Sequence, residues 1–303
     1  MIEHGCVVDK LHGVIPAQPA KIFQKFMEKV SEERRKGDTD PKYAIIAEMW
    51  KLVGNSAFGR TGINKSKHKN VSFCDEKHFN KKKHMYFYYD SDEYNGKYIV
   101  SMKKKKVKQN MPIQVACSIY DDSKLRMLQF YYDCIDKYID RKDFQYIEMD
   151  TDSAYMALSD DFEKLIKPEL KEEFIKERDM WFPRTDSQEH KAFDKRKPGL
   201  FKIEFEGDAM VALCPKMYYV RGLKGKDKFS SKGIQHKQNK EVISFEEYKR
   251  VLFSGEKTVC SNIGFRFIDK NIVTYEVSKS GLTPIYDKRV TLETGVHTHP
   301  LDI

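Results

Sequence analysis

What the chain lacks narrows the reading first. Its six cysteines (Cys6, Cys74, Cys117, Cys134, Cys214 and Cys260) are scattered, with no C-x-x-C pair among them. That spacing disfavours both a zinc site and a disulfide framework, so a reducing compartment is the expectation. No run approaches the roughly 18 apolar residues of a membrane helix, and the opening "MIEHGCVVDKLHGVIPAQ" has no apolar stretch suited to a signal peptide. A soluble, intracellular protein with no membrane partner is expected. No internal repeat emerges either.

What is present is a chain of 303 residues, 40% hydrophobic and 13% aromatic, with 17 Tyr and 19 Phe. It can bury a large core and has the length of two or three domains. Its 55 basic and 46 acidic side chains leave a net charge of +9, which favours a polyanionic partner.

Residues 18 to 36 place Ile22, Phe23, Phe26 and Val30 on one helical face, and the short connector "GDTD" follows. Asp40 and Pro41 then open a second helix carrying Tyr43, Ile46, Ala47 and Trp50. So short a turn predicts an antiparallel helical hairpin, basic near its ends. From about 61 to 112 the lysine runs "NKSKHKN", "NKKKH" and "MKKKKVK" separate aromatic, strand-like pieces. Solvated edge charge and phosphate contact are both open readings there. Asp121, Asp122 and Ser123 read as the cap of a helix with the stripe Leu125, Leu128, Tyr132, Ile135 and Ile139. "GLFKIEFEG" alternates like a half-buried strand; Gly207 and Asp208 then turn the chain, and "AMVALCPKMYYV" runs back. Ser244 and Glu247 form a capping box, Ile243 and Tyr248 its staple, and Gly255 the stop of a late helix. Helices first, strands in the middle and a helical tail predict an α+β fold.

Between the β-rich runs "QYIEM" and "SAYMAL" the tight turn "DTDS" brings Asp150 and Asp152 together, with Glu148 just before them. Carboxylates crowded at a hairpin tip repel one another, and a hard divalent cation relieves them. Two such ions about 3.5–4 Å apart suit in-line phosphoryl transfer. Taken alone, the turn fits an Asx-type cap better than a metal site. "KLVGNSAFG" at 51 to 59 adds to it: Lys51 is a point charge for a triphosphate, Asn55, Ser56 and Gly59 allow close approach, and Phe58 offers a platform.

The ordered series K-x-x-x-N-S-x-F-G, "SKLRM", D-T-D-S, "PKMYY" and "SKGI" resembles family B DNA polymerases, most closely their protein-primed viral and transposon branch. The likeness runs from about residue 15 to 290. It implies fingers at 1–60, a lysine-rich strand insertion at 61–112, a palm at 113–220 with antiparallel sheet and packed helices, and a small thumb with the tail at 221–303. It implies template-directed transfer of deoxynucleoside triphosphates to a DNA primer, with Mg²⁺, or Mn²⁺ in its place, and in that branch a terminal priming protein. Asp152 matches the surer metal ligand and Asp150 its companion; Lys51, Asn55 and Phe58 match the nucleotide pocket. Lys216 and Tyr218 match the element that steadies the primer terminus, and Lys232 and Gly233 the following stretch near the duplex. A turn glycine after a basic loop explains "KGI" as well.

Four departures qualify the likeness. Phe58 stands where many relatives have Tyr, and Glu148 where most have Tyr. The D-x-x-S-L-Y-P element that brings the partner carboxylate is missing from residues 1 to 20, and so is a proofreading exonuclease upstream. The expectation is therefore the C-terminal part of a larger polymerase; a remnant that binds DNA and nucleotide without catalysis is the competing reading. Glu148 and Asp208 are the substitutes to examine for the missing carboxylate. "HTHP" at 297 to 300 has metal-binding chemistry in principle, in what reads as a tail.

Overall fold

The computed structural model describes residues 7–14, 16, 18, 20–268, 271–286, 289–293 and 298–300. α1 (Gln24–Thr39) and α2 (Ala44–Thr61) form the expected helical hairpin. Asp40 turns it: its side chain accepts from the Lys42 amide at the head of the single turn Pro41–Tyr43. The "GDTD" connector is instead helical as far as Thr39. Gly37 accounts for this, because a Cβ there would collide with the Cβ of Ala47, so the bare backbone lets the helices close. Val30 is buried beside Gly54, whereas Ile22 and Phe23 precede the helix and stay exposed.

The lysine-rich region folds as β1 (Lys69–Cys74), α3 (Glu76–Lys83), β2 (Tyr88–Tyr94) and β3 (Lys97–Lys103), in the antiparallel order β1-β3-β2. Lys81, Lys82 and Lys83 are not strand-edge charges but the last turn of α3, where cations suit the helix dipole. Phe79 of that helix stacks on Tyr98 of β3 at 4.1 Å.

α4 (Ile113–Gln129) runs through a wide π turn (Phe130–Ile135) into α5 (Asp136–Tyr138). Asp121 and Asp122 therefore lie inside a helix and do not open one: Ile113, Val115 and Ile119 extend the pattern back to Pro112, and Ser123 Oγ donates to the Ile119 carbonyl. The buried stripe is also shifted. Met127, Phe130, Cys134 and Tyr138 are buried with Ile135 and Ile139, while Leu125, Leu128 and Tyr132 are about half exposed. Both stripes are apolar at helical spacing, and only packing chooses between them.

β4 (Phe144–Asp150) and β5 (Ser153–Leu158) make the predicted hairpin. α6 (Lys171–Trp181) and α7 (Gln188–Asp194) follow. The stretch 201–206 is not a strand; Phe201 stacks on Phe130 at 3.8 Å and its amide donates to the Trp181 carbonyl, so core packing takes the place of a ladder. Gly207, read as a turn, instead opens β6 (Gly207–Cys214), which pairs with β7 (Met217–Gly222) and through it with β8 (Lys228–Ser231). "AMVALCPKMYYV" is thus a hairpin and not one strand, because Pro215 cannot donate to a ladder and Lys216 turns at φ +67°.

α8 (Phe245–Ser254) is capped at Ser244, whose Oγ accepts from the Glu247 amide, and ends at left-handed Gly255, but the return bond of the box is replaced: the Glu247 carboxylate accepts from Arg250 instead. After α8 the described residues form strands and not the expected helical tail: β9 (Val259–Ile268) pairs with β10 (Asn271–Ser280), and β11 (Arg289–Thr291) with β12 (Thr298–Pro300). Of the "HTHP" tail, His297 lies outside the described residues. Every sheet is antiparallel among the described residues, and the architecture is α+β. No helix there is long and apolar enough to cross a membrane.

Two cores organise these elements. One gathers Phe130, Cys134, Ile135, Tyr138, Phe174 and Trp181, with Phe144 and Met156 of the acidic hairpin packed against it. The other gathers Val211, Met217, Tyr219, Tyr248, Val251 and Leu282 around β6 and β7. The helical hairpin is tied to the α7 region: Arg196 and Lys195 bind Asp38, whose carboxyl is held at about 2 by the Arg196 guanidinium first.

Candidate functional site

The acidic turn hangs from the π turn of the long helix. Tyr131 meets Phe144 and Tyr146 edge to face at 6.1 and 5.3 Å, which fixes the inward face of β4. At Ile147 the pairing shifts by one residue, so Phe144 and Tyr146 stand opposite Leu158 and Met156, whereas Glu148 and Asp150 stand opposite Tyr155 and Ser153 on the other face of the hairpin. At the tip Thr151 has φ +56°, a conformation a β-branched residue rarely adopts, at a cost of roughly 1–3 kcal/mol. Local bonds hold it there: the Asp152 amide and Ser153 Oγ donate to the Asp150 carbonyl, and Thr151 Oγ1 donates to Asp150 Oδ1. The Asp152 carboxylate is exposed and has no partner among the described residues.

A second turn meets the first. The Lys216 amide donates to Glu148 Oε1 at 3.0 Å, and Lys216 Nζ lies 3.3 Å from Asp150 Oδ1. One strand further in, Tyr155 Oη donates to Tyr218 Oη at 2.6 Å with the rings 4.6 Å apart. These contacts join hairpins that belong to different cores and stand more than sixty residues apart in sequence. Burial is the main cause that pushes the Tyr218 hydroxyl's pKa up, with the Tyr155 bond and the charges of Glu148 and Asp150 adding to it. Burial also raises the Glu148 carboxyl; the Lys216 amide opposes that rise and the neighbouring Asp150 charge reinforces it. Glu148 Oε2 is buried without a hydrogen-bond partner.

Lys232 and Gly233 join through the backbone. The Lys232 amide donates to the Lys216 carbonyl, which also accepts from Ser230 Oγ. Gly233 sits at φ +80°, with its carbonyl bonded to Asn262 Nδ2 and Lys279 Nζ close to where a Cβ would stand. The turn-glycine explanation of "KGI" is therefore satisfied, and the Lys232 side chain stays exposed.

Lys51, Asn55 and Phe58 share one face of α2, at positions i, i+4 and i+7. No turn opens at Asn55, Ser56 or Gly59, since the helix continues to Thr61. Lys51 lies 3.8 Å from Glu48, Asn55 is exposed, and Phe58 packs edge to face on Tyr120 of α4 at 5.2 Å. Among the described residues no hydrogen bond, ion pair or ring contact joins this face to the acidic turn.

Two roles escaped the sequence. Glu148, read there as a departure and a substitute carboxylate, binds the Lys216 turn, and Tyr155, one residue of the run "SAYMAL", bonds Tyr218. Asp208, the other substitute for the missing carboxylate, is taken up by Arg221 through two bonds of 2.9 and 3.0 Å. Away from the turn, a groove of about 570 Å³ is lined by Lys82, Lys103, Lys104, Lys105 and Lys106 with Phe87.

A hard divalent cation is commonly held by one or two carboxylates, with phosphate and water completing its oxygens. Asp150 and Asp152 match that minimal set by residue type and by their place in one turn. No group of three or more His, Cys, Asp or Glu side chains that could hold a metal occurs among the described residues. When bound, a hard divalent cation would supply charge neutralisation for a transferring phosphoryl group.

Comparison with family models, with curated proteins and with solved structures finds no match to this chain.

Proposed function

We propose that the chain carries part of a nucleotidyl-transfer site of the DNA polymerase type, with a DNA template–primer and deoxynucleoside triphosphates as its partners. One observation carries the reading: the D-T-D-S turn and the P-K-M-Y turn, singled out separately by their residue types, lie against each other through Glu148, Asp150, Lys216, Tyr155 and Tyr218. In this reading Asp152 and Asp150 take a Mg²⁺ or Mn²⁺ ion, and Lys216 and Tyr218 steady the primer terminus. Lys232 and Gly233 lie along the duplex, and Lys51, Asn55 and Phe58 of α2 receive the triphosphate. The α1–α2 hairpin is then the fingers, the elements from α4 to β7 the palm, and the later elements the thumb.

A second reading has its own support. The absence of a three-ligand acidic group among the described residues favours a chain that grips DNA and nucleotide without transferring anything. Primer extension separates the two. With Mg²⁺ and then Mn²⁺, incorporation that Asp152→Asn abolishes supports the enzyme. Salt-sensitive duplex binding without incorporation supports the binding protein. Neither binding nor incorporation rejects both.

A further inference from the structure

Lys216 is attached to the acidic turn twice, once by its backbone and once by its side chain. The amide bond to Glu148 Oε1 is 3.0 Å and the ammonium contact to Asp150 Oδ1 is 3.3 Å. With φ at +67°, Lys216 holds a conformation uncommon for a residue with a side chain, so the turn needs fixing from outside. Glu148 fixes it on one side; Ser230 Oγ and the Lys232 amide, both bonded to the Lys216 carbonyl, fix it on the other. The backbone is thus clamped while the side chain, 55% exposed, keeps room to swing.

This arrangement places a single positive charge where two carboxylates crowd. Asp152 has no cation of its own among the described residues, and Asp150 has only this ammonium. Resting on the nucleotidyl-transfer reading, we propose that Lys216 is the built-in counter-ion of the acidic turn, presented to Asp150 by Glu148 and exchanged for a divalent cation when one arrives. Glu148 is then a positioning residue: it acts through the Lys216 amide and donates no oxygen to the cation. The exchange needs only a side-chain rotation, and it frees the ammonium for a phosphate at the moment the cation settles. Lysine suits the part, being a compact charge on a flexible stem.

The test is Mn²⁺ binding to the full chain, without nucleotide or DNA, followed by electron paramagnetic resonance. Lys216→Met removes the charge and keeps the amide, so Mn²⁺ should bind about two- to fivefold tighter, the scale of an exposed ion pair. Asp150→Asn should weaken binding with or without that change. Glu148→Ala and Glu148→Gln both remove a charge, but only Gln keeps an acceptor for the amide. The Ala variant should therefore bind Mn²⁺ more tightly than the Gln variant, and in the Lys216→Met background the two should be equal. If Lys216→Met leaves the affinity unchanged while Asp150→Asn still lowers it, the counter-ion role is wrong and the site reading survives. A difference between Ala and Gln that persists without the ammonium overturns the positioning role. No Asp150-dependent binding in any variant removes both the site and its counter-ion.

Discussion

The hydroxyl pair Tyr155–Tyr218 allows the join between the two cores to be weighed directly. Tyr218 is 8% exposed and its hydroxyl accepts from Tyr155 at 2.6 Å. Tyr155→Phe removes that donor and leaves a buried hydroxyl behind, and an orphaned buried polar group costs about 1–3 kcal/mol. Removing both hydroxyls leaves nothing unpaired, and the ring contact, 4.6 Å between centroids, survives in every variant. The double variant Tyr155→Phe/Tyr218→Phe should therefore be more stable than Tyr155→Phe alone, and the two changes should couple by about 1 kcal/mol or more. For a chain of this length each kcal/mol moves Tm by about 2 °C, so the single change should lower Tm by about 2–6 °C.

Thermal denaturation followed by circular dichroism, on wild type, both single variants and the double, closes the cycle. Simple additivity would refute the reasoning, since it would mean that the hydroxyls do not depend on each other. The same four proteins bear on the site. If this bond holds the Lys216 turn to the acidic turn, Tyr155→Phe should also disturb the Asp150–Lys216 contact, which nuclear magnetic resonance of the Lys216 side chain can follow.

Two further outcomes are expected. Asp194 is 2% exposed and bound by Arg184 through two side-chain bonds of 2.7 and 2.9 Å, chiefly for which its carboxyl is held at about 2 against an ordinary 3.8. A carboxylate depressed in this way stabilises the fold above its ordinary pKa and loses that contribution as pH falls from about 4 through about 2. Urea midpoints of the wild type should drop across that window more steeply than those of Asp194→Asn; parallel curves would count against the pair. In the lysine groove, the combined change Lys104→Gln, Lys105→Gln and Lys106→Gln should flatten the salt dependence of oligonucleotide binding. The log–log slope should become shallower by about 0.7 for each phosphate of a single strand that the groove no longer neutralises. An unchanged slope takes that groove out of the interface.

What the sequence made legible were features decided within a few residues. The Asp40–Pro41 turn, the Ser244 cap with Gly255, and the β4–β5 hairpin each rest on side chains that act on their own neighbours. What it hid were choices among distant partners. Met127, Phe130, Cys134 and Tyr138 compete with Leu125, Leu128 and Tyr132 for burial at the same period, and the core that decides lies on other segments. Residues 201–206 alternate like a strand, but Phe201 meets Phe130 before any strand offers a ladder. The run across Pro215 reads as one strand, but Pro215 has no amide hydrogen for a ladder and Lys216 beside it turns at φ +67°.

That last misreading bears most on function. Read as one continuous strand, "AMVALCPKMYYV" would set Lys216 and Tyr218 on a shared strand face and leave neither at a tip. Folded as a hairpin, it carries Lys216 to the apex, where the backbone amide becomes free to find an acceptor on another element. The acceptor it finds is Glu148, the residue that looked most out of place beside Asp150. A left-handed lysine with a free amide and a strand glutamate with oxygens to spare each look like a local flaw. Set opposite one another they satisfy a common need, and the acidic turn gains a cation at the same stroke. The anomalies of the two turns are therefore one feature, and a variant that cures either alone should unsettle the other.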